Sequence, residues 1–315
     1  MLKVSKCGVL FLLLSLRCHP RNQIAADPTA DIEGYDARAK IAILTKLAFG
    51  KTIHDVSSSI PTFGITAIRP EDFEILSKGF PNLPPCTIRL VAVAERPHER
   101  WPDVEEDASI VTDESMFLFQ KNESVLVYVA PTVVPKTHPL AAVQGSHNMI
   151  KIDSRYLGTS TFTAAGAGRW PTSNSVVADV IQCSMGWAPQ APIVTESPRE
   201  DAGELHEDIN GEFFLRLTLH DRFYTDAETG KREIARSLKE CLESGFEDWR
   251  SSSDVWESEL EITKVLHSWY RGKGHCVNIG LLTPPTSYKK VHELEKMLKD
   301  RVKVTGSVIM PVLRE

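Results

Sequence analysis

Asp36 and Lys40 stand four residues apart in the run Tyr35-Asp36-Ala37-Arg38-Ala39-Lys40-Ile41. On a helix that spacing puts a carboxylate and an amine on one face, one turn from each other. At the mouth of a buried helix such a pair can hold a polar substrate and pass it a proton. The other reading is a solvated ion pair, common on helix surfaces and worth little. On spacing alone the solvated pair is the commoner case. His138, in the turn Pro135-Lys136-Thr137-His138-Pro139-Leu140, invites an acid/base reading, but a histidine capping a strand end is preferred there. Gly166-Ala167-Gly168 ahead of Arg169-Trp170-Pro171-Thr172 permits positive φ and close backbone approach to a ligand. A strand-to-helix turn that needs glycine for packing would read the same way. The six cysteines are scattered, with no CxxC and no Cys/His cluster, so neither a zinc site nor a disulfide framework is expected.

Periodicity supplies the elements that must position these residues. Asp27-Pro28 through Gly34 is a polar turn. Ala37, Ile41, Leu44 and Ala48 recur at three- and four-residue spacing and predict a helix with Gly50 as its C-terminal cap. Residues 51–82 read as loop and short helix, with Pro70 at a first helical position. Thr87–Ala94 is a β-branched, apolar strand. The acidic stretch 96–122 reads as a surface insertion. Ser124–Thr132 is the next strand, ended by Pro131 and Pro135. Ala141–Val143, Met149–Asp153 and Gly158–Ala164 continue as antiparallel strands. Thr172 or Ser173 then caps a helix through Ser175–Cys183.

Residues 186–211, with Pro189, Pro192, Pro198 and an acidic run, form a linker. Residues 212–315 read as a second module in βαββαβ order: strand Phe213–Leu219, helix Glu233–Leu242, a less regular segment 254–265, strand His275–Leu282, amphipathic helix Tyr288–Leu298 and strand Gly306–Leu313. The expected fold class is α+β: a mixed or antiparallel sheet with helices on one face, followed by that module. A chain of 315 residues accommodates two such domains, and a formal net charge of −6 leaves no basic footprint for nucleic acid.

The stretch DPTADIEGYDARAKIAILTKLAFG resembles the signature helix of the homoserine dehydrogenase family. His138-Pro139-Leu140-Ala141 to Gly145, Gly166–Thr172 and Ser175-Val-Val-Ala-Asp179 resemble the same family's later loop, in the same order, so the similarity covers 25–185. The resemblance implies interconversion of L-homoserine and L-aspartate 4-semialdehyde with NADP or NAD, within the aspartate pathway to threonine, methionine and isoleucine. It implies Lys40 as the catalytic proton donor and Asp36 and Asp31 as substrate-binding acids. It implies Gly168 as a cofactor contact, and because the family's monovalent-cation loop lies in its nucleotide-binding half, no metal site is assigned in this chain. It implies a homo-oligomer formed through the sheet and an ACT-like module at 212–315. That module has His220–Thr225 where the family usually carries an Arg-Pro-Gly turn, and Ala25 stands where the family carries a substrate-binding glutamate.

No GxGxxG occurs in the chain, so the resemblance is to the family's substrate-binding and dimerisation part, with the nucleotide-binding domain missing. Residues 1–24 hold the apolar run Gly8–Leu16, too short to span a bilayer. They read as a targeting segment, a membrane-associated tail, or a non-native start that replaces a lost domain. The expected location is cytoplasmic, or plastid or another organelle if the segment is a targeting peptide. The alternative function is a non-catalytic, dimerising or regulatory relative of the dehydrogenase.

Overall fold

The computed structural model describes residues 7–14, 27–78, 80, 83–96, 124–145, 147–154, 157–186, 205, 208–220, 232, 236–237, 240, 261–262, 266–270, 274–302 and 304–313. Ala25, the acidic insertion, the linker's centre, residues 221–225 and nearly all of the helix expected at Glu233–Leu242 lie outside them.

The elements in order are β1 (Cys7–Leu14), α1 (Thr29–Ile32), α2 (Tyr35–Phe49), α3 (Val56–Ser59), α4 (Pro70–Lys78), β2 (Cys86–Glu95) and β3 (Leu126–Pro135). A 3-10 turn (Pro139–Ala142), β4 (His147–Ser154), β5 (Gly158–Ala165), α5 (Arg169–Ser184) and β6 (Asn210–His220) follow. The chain closes with β7 (Glu261–Ile262), β8 (Leu266–Tyr270), β9 (Gly274–Leu282), β10 (Thr286–Ser287), α6 (Tyr288–Arg301) and β11 (Val304–Val312). Among the described residues no helix is long and apolar enough to cross a membrane.

The chain forms two compact units that interleave in sequence. The first comprises 1–63, 90–129 and 143–207; the second comprises 64–89, 130–142 and 208–315. In the first, the strands lie in the order β5-β4-β1-β2-β3. β1 is hydrogen-bonded on both sides, antiparallel to β2 (Val9↔Glu95 to Leu13↔Val91) and to β4 (Leu10↔Ile152 to Leu14↔Asn148). Residues 8–14 of the N-terminal apolar run therefore sit inside the sheet as a strand. Val91–Ala94 of β2 are at most 1% exposed, which explains why this strand reads as a continuous β-branched and apolar run.

α2 packs by the row Ala37, Ile41, Thr45 and Phe49, all buried. The periodicity expected Leu44 and Ala48 on that face, and both are only half-buried. The buried row instead steps by four residues. It includes Thr45 because that hydroxyl donates to the Ile41 carbonyl at 2.7 Å, which removes the cost of burying it. Gly50 closes the helix as expected, its N–H bonding the Lys46 carbonyl at 3.0 Å. Two further expectations change in detail. β3 runs on through Pro131 to Pro135, and Ala141 and Ala142 belong to a 3-10 turn rather than a strand. His138 in that turn is buried, and its Nδ1 accepts the Leu140 N–H at 3.2 Å, a local capping role.

In the second unit the strand order is β3-β11-β6-β9-β7, with β8 also paired to β9. β6 is antiparallel to both β11 and β9, and β9 to β8, whereas β11 meets β3 in parallel at Val312↔Val133. Ile75, Leu76, Phe80, Leu83, Val133, Phe214, Leu282 and Met310 form its core. Arg216, 1% exposed, is held beneath α4: its Nε donates to Asp72, its other nitrogens to Thr218 Oγ1 and the Ala67 carbonyl, each at 2.7 Å.

Candidate functional site

The acid–amine helix is fixed by its elbow. Asp27 caps the short α1 by accepting the Thr29 N–H at 3.0 Å, and hydrogen bonds from the Thr29 hydroxyl and N–H hold the Asp27 carboxyl below its ordinary value. The chain then turns at Gly34, φ +80°, which is the N-cap of α2. A Cβ on Gly34 would lie 3.2 Å from Val129 Cγ1 and 3.3 Å from Thr62 Cγ2, so the elbow rests directly on β3 and on the segment hydrogen-bonded to it. Phe63 N–H and Val129 N–H complete that contact through the Val129 and Pro61 carbonyls, at 2.8 and 2.9 Å.

One turn into α2, Lys40 Nζ donates to Asp36 Oδ2 at 2.7 Å, with the two side chains 41% and 37% exposed. The structure thus joins the two residues that spacing placed on one face, and leaves both reachable from solvent. Asp31 stands apart, exposed on α1 and outside that hydrogen bond. Ile43 and Leu47, on the same outer side of α2, are 63% and 57% exposed.

Gly168 belongs to a different element. It is the N-cap of α5 at φ 133°, and its carbonyl accepts the Thr172 N–H at 3.1 Å. The helix begins there rather than at Thr172 or Ser173. Pro171 fits because a first-turn residue has no intrahelical use for its N–H. Ser173 lies inside the helix, its hydroxyl bonding the Arg169 carbonyl at 2.8 Å. Gly168, Arg169, Thr172, Ser173, Val176 and Val177 line an open concavity of about 550 Å3. Of this lining, the sequence pattern singles out only Gly168. The rest of the lining was available from the three- and four-residue spacing of Arg169, Thr172, Ser173, Val176 and Val177. None of the residues of α5 is buried, and Val176, Val177, Val180 and Ile181 are each more than half exposed. Among the described residues no group of three or more His, Cys, Asp or Glu is placed to hold a metal.

The acid–amine pair on one helix and the glycine-opened concavity on another are both borne by a mainly antiparallel sheet, which defines an α+β protein. Residues 21–181 match the family model described as homoserine dehydrogenase, and the chain belongs to that family. The homoserine dehydrogenase of Mycobacterium tuberculosis (strain H37Rv) is 36% identical over 159 residues, which is 50% of this chain and 30% of that protein. That of Mycobacterium leprae is 30% identical over 232 residues, 71% of this chain and 45% of that protein. The chain therefore spans less than half the length of these relatives. The fold is similar to that of a solved homoserine dehydrogenase from Thiobacillus denitrificans, with a TM-score of 0.58 at 22% identity over 91% of this chain and 55% of that one. It is also similar to that of the Staphylococcus aureus protein, with a TM-score of 0.54 at 17% identity over 98% of this chain and 66% of that one.

Proposed function

We propose that this chain is the substrate-binding and dimerisation part of a homoserine dehydrogenase, converting L-homoserine and NADP or NAD to L-aspartate 4-semialdehyde, the reduced nucleotide and a proton. The observation that carries the reading is the 2.7 Å Lys40–Asp36 pair, reachable from solvent and lying inside the family-matched segment. Asp36 accepts hydrogen bonds from homoserine's polar groups. Lys40 Nζ takes the hydroxyl proton as the alcohol becomes an aldehyde, and returns it to the oxygen in the opposite direction. Asp31, exposed on the adjoining helix, is the second acid of the substrate site. The dinucleotide, when bound, supplies the hydride acceptor. The opened backbone at Gly168, the Arg169 guanidinium and the Thr172 hydroxyl suit its polar edge, and these residues would hold it.

Residues 212–315 of the second unit are read as an ACT-like module. Strands β11-β6-β9-β8 in mutually antiparallel pairing, with α6 after β9, support a small ferredoxin-like sheet that pairs with a second copy. A cytoplasmic or organellar location accords with the supply of reduced nicotinamide.

The test supplies a nucleotide-binding domain from a bacterial relative in trans or as a fusion and follows semialdehyde-dependent oxidation of NADPH. Lys40→Ala should lower kcat by on the order of 10²- to 10⁴-fold, and Asp36→Asn should raise KM for homoserine. Turnover surviving Lys40→Ala would reject the assignment. α5, with no buried residue and with exposed valines, favours a second reading, in which the chain acts by association with a full-length homologue. Co-purification with that homologue, with no turnover in the supplemented chain, would establish it instead.

A further inference from the structure

Asn148 lies on β4 directly across the ladder from Ala164 on β5. Side chains recur on one face at every second residue, so Asn148 shares a face with Ile150, Ile152, Phe162 and Ala164. The next position on that face of β5 would be residue 166. β5 ends at Ala165, and the chain bends at Gly166. There the Asn148 carboxamide fills the space of the missing side chain. A Cβ on Gly166 would stand 2.0 Å from Asn148 Nδ2, 2.6 Å from Cγ and 2.9 Å from Oδ1.

We propose that Asn148 is the positioning residue of the Gly166–Gly168 turn, its carboxamide acting as the brace that fixes where α5 and the Gly168 concavity begin. The proposal rests on the reading that this turn faces the dinucleotide. Gly166 and Gly168 flank a single alanine, and glycine pairs leave a turn with little intrinsic conformational preference. A braced turn needs a neighbour from outside, and β4 provides it. A flat carboxamide suits the position because it can lie against a peptide where a branched side chain cannot. Displacement at Gly166 passes through Ala167 to the N-cap of α5, and so to Arg169 and Thr172 of the cavity wall.

The geometry prescribes a size-swap experiment on the full chain. Gly166→Ala places a methyl group on the carboxamide, Asn148→Ala empties the same space, and the double variant exchanges one filler for the other. Trp170 sits two residues beyond Gly168 and reports on the turn: its resonance is read by 19F NMR of the 5-fluorotryptophan-labelled chain, assigned by its loss in Trp170→Phe. Each single variant should shift or broaden that resonance, and the double variant should restore it. In the chain supplemented with a nucleotide-binding domain, the single variants should raise the nucleotide KM by on the order of 10- to 10²-fold, the scale of a misplaced contact. KM for homoserine should stay at its wild-type value, and the double variant should recover most of the loss. A thermal melt of each variant separates this from general destabilisation. An Asn148→Ala resonance identical to wild type, or a double variant no better than the worse single, overturns the proposal. If the supplemented wild type shows no turnover, the dehydrogenase reading fails, while the 19F comparison still decides the brace.

Discussion

Removing the carboxylate of Asp72 tests how the second unit is held together. Asp72 on α4 is fully buried and Arg216 on β6 is 1% exposed, so water cannot replace either partner. Burial raises the Asp72 carboxyl and lowers the Arg216 guanidinium, and the facing charge of each partner offsets part of this. Asp72 also accepts the Arg69 N–H at 2.7 Å, which starts α4. In Asp72→Ala the guanidinium keeps Thr218 and the Ala67 carbonyl but loses its hydrogen-bonded counter-charge. Breaking one side of a buried pair costs about 3–5 kcal/mol. With a urea m-value of roughly 2 kcal/mol/M, the second unit's midpoint should fall by about 1.5–2.5 M. Urea melts followed by far-UV circular dichroism and tryptophan fluorescence give the number, two probes being needed because the units need not unfold together. In Asp72→Leu/Arg216→Met the charges leave together, the half-buried Arg69 N–H and Ala67 carbonyl can turn to water, and most of the loss should return. An Asp72→Ala cost below about 1 kcal/mol, or a double variant as unstable as the single, would refute the view that an uncompensated buried charge sets the penalty.

Two further outcomes follow from the described contacts. Burial pushes the Glu295 carboxyl up, but hydrogen bonds from Lys299, at 2.7 Å, Ser307 and His292 and the charge of Lys299 outweigh it and hold it below its ordinary value of 4.5. A carboxyl lowered in the fold stabilises above its unfolded pKa and loses that contribution as pH falls through the folded one. The stability gap between wild type and Glu295→Gln should therefore be full at neutral pH and shrink below about pH 4.5 in thermal melts; a gap constant from pH 7 to pH 3 contradicts it. Deleting residues 1–14 removes β1 and unpairs facing backbone groups of both β2 and β4. Each group left unsatisfied in the interior costs about 1–3 kcal/mol, so the first unit should lose its cooperative melt, and an unchanged transition would show that β1 is dispensable.

The limits of the sequence reading lie where burial or contact, rather than pattern, decides. The extent of α2 and its Gly50 cap were legible because a long periodic run and a terminal glycine are local signals. Its buried face was not, because the burial of Thr45 depends on a hydroxyl turned back to the Ile41 carbonyl. α5 is capped four to five residues before the expected Thr172 or Ser173, because Gly168 in a positive-φ conformation opens the helix without a side-chain cap. The run at 7–14 carries the apolar content of a sheet-interior strand, but its length and alternation do not reveal its pairing with β2 and β4. The division at 186–211 follows composition, whereas residues 64–89 and 130–142 join the C-terminal unit through contacts such as Asp72–Arg216, 144 residues apart in the chain.

The acid–amine pair is the part of the first unit that folding energetics explain least. An exposed ion pair four residues apart on a helix contributes about 0.3–0.5 kcal/mol, and Asp36 and Lys40 are 37% and 41% exposed. The neighbouring positions Ala37 and Ile41, at 1% and 0% exposure, carry the packing. Yet the elbow before them is tight, with Gly34 in a left-handed turn where a Cβ would press to 3.2 Å from Val129 and 3.3 Å from Thr62. A closely packed mount beneath a pair that adds little to stability favours a role in holding or protonating a ligand over one in holding the fold. The same imbalance makes the activity test interpretable: Lys40→Ala removes an exposed amine and should leave the melting temperature nearly unchanged, so a lost rate would be chemical rather than structural.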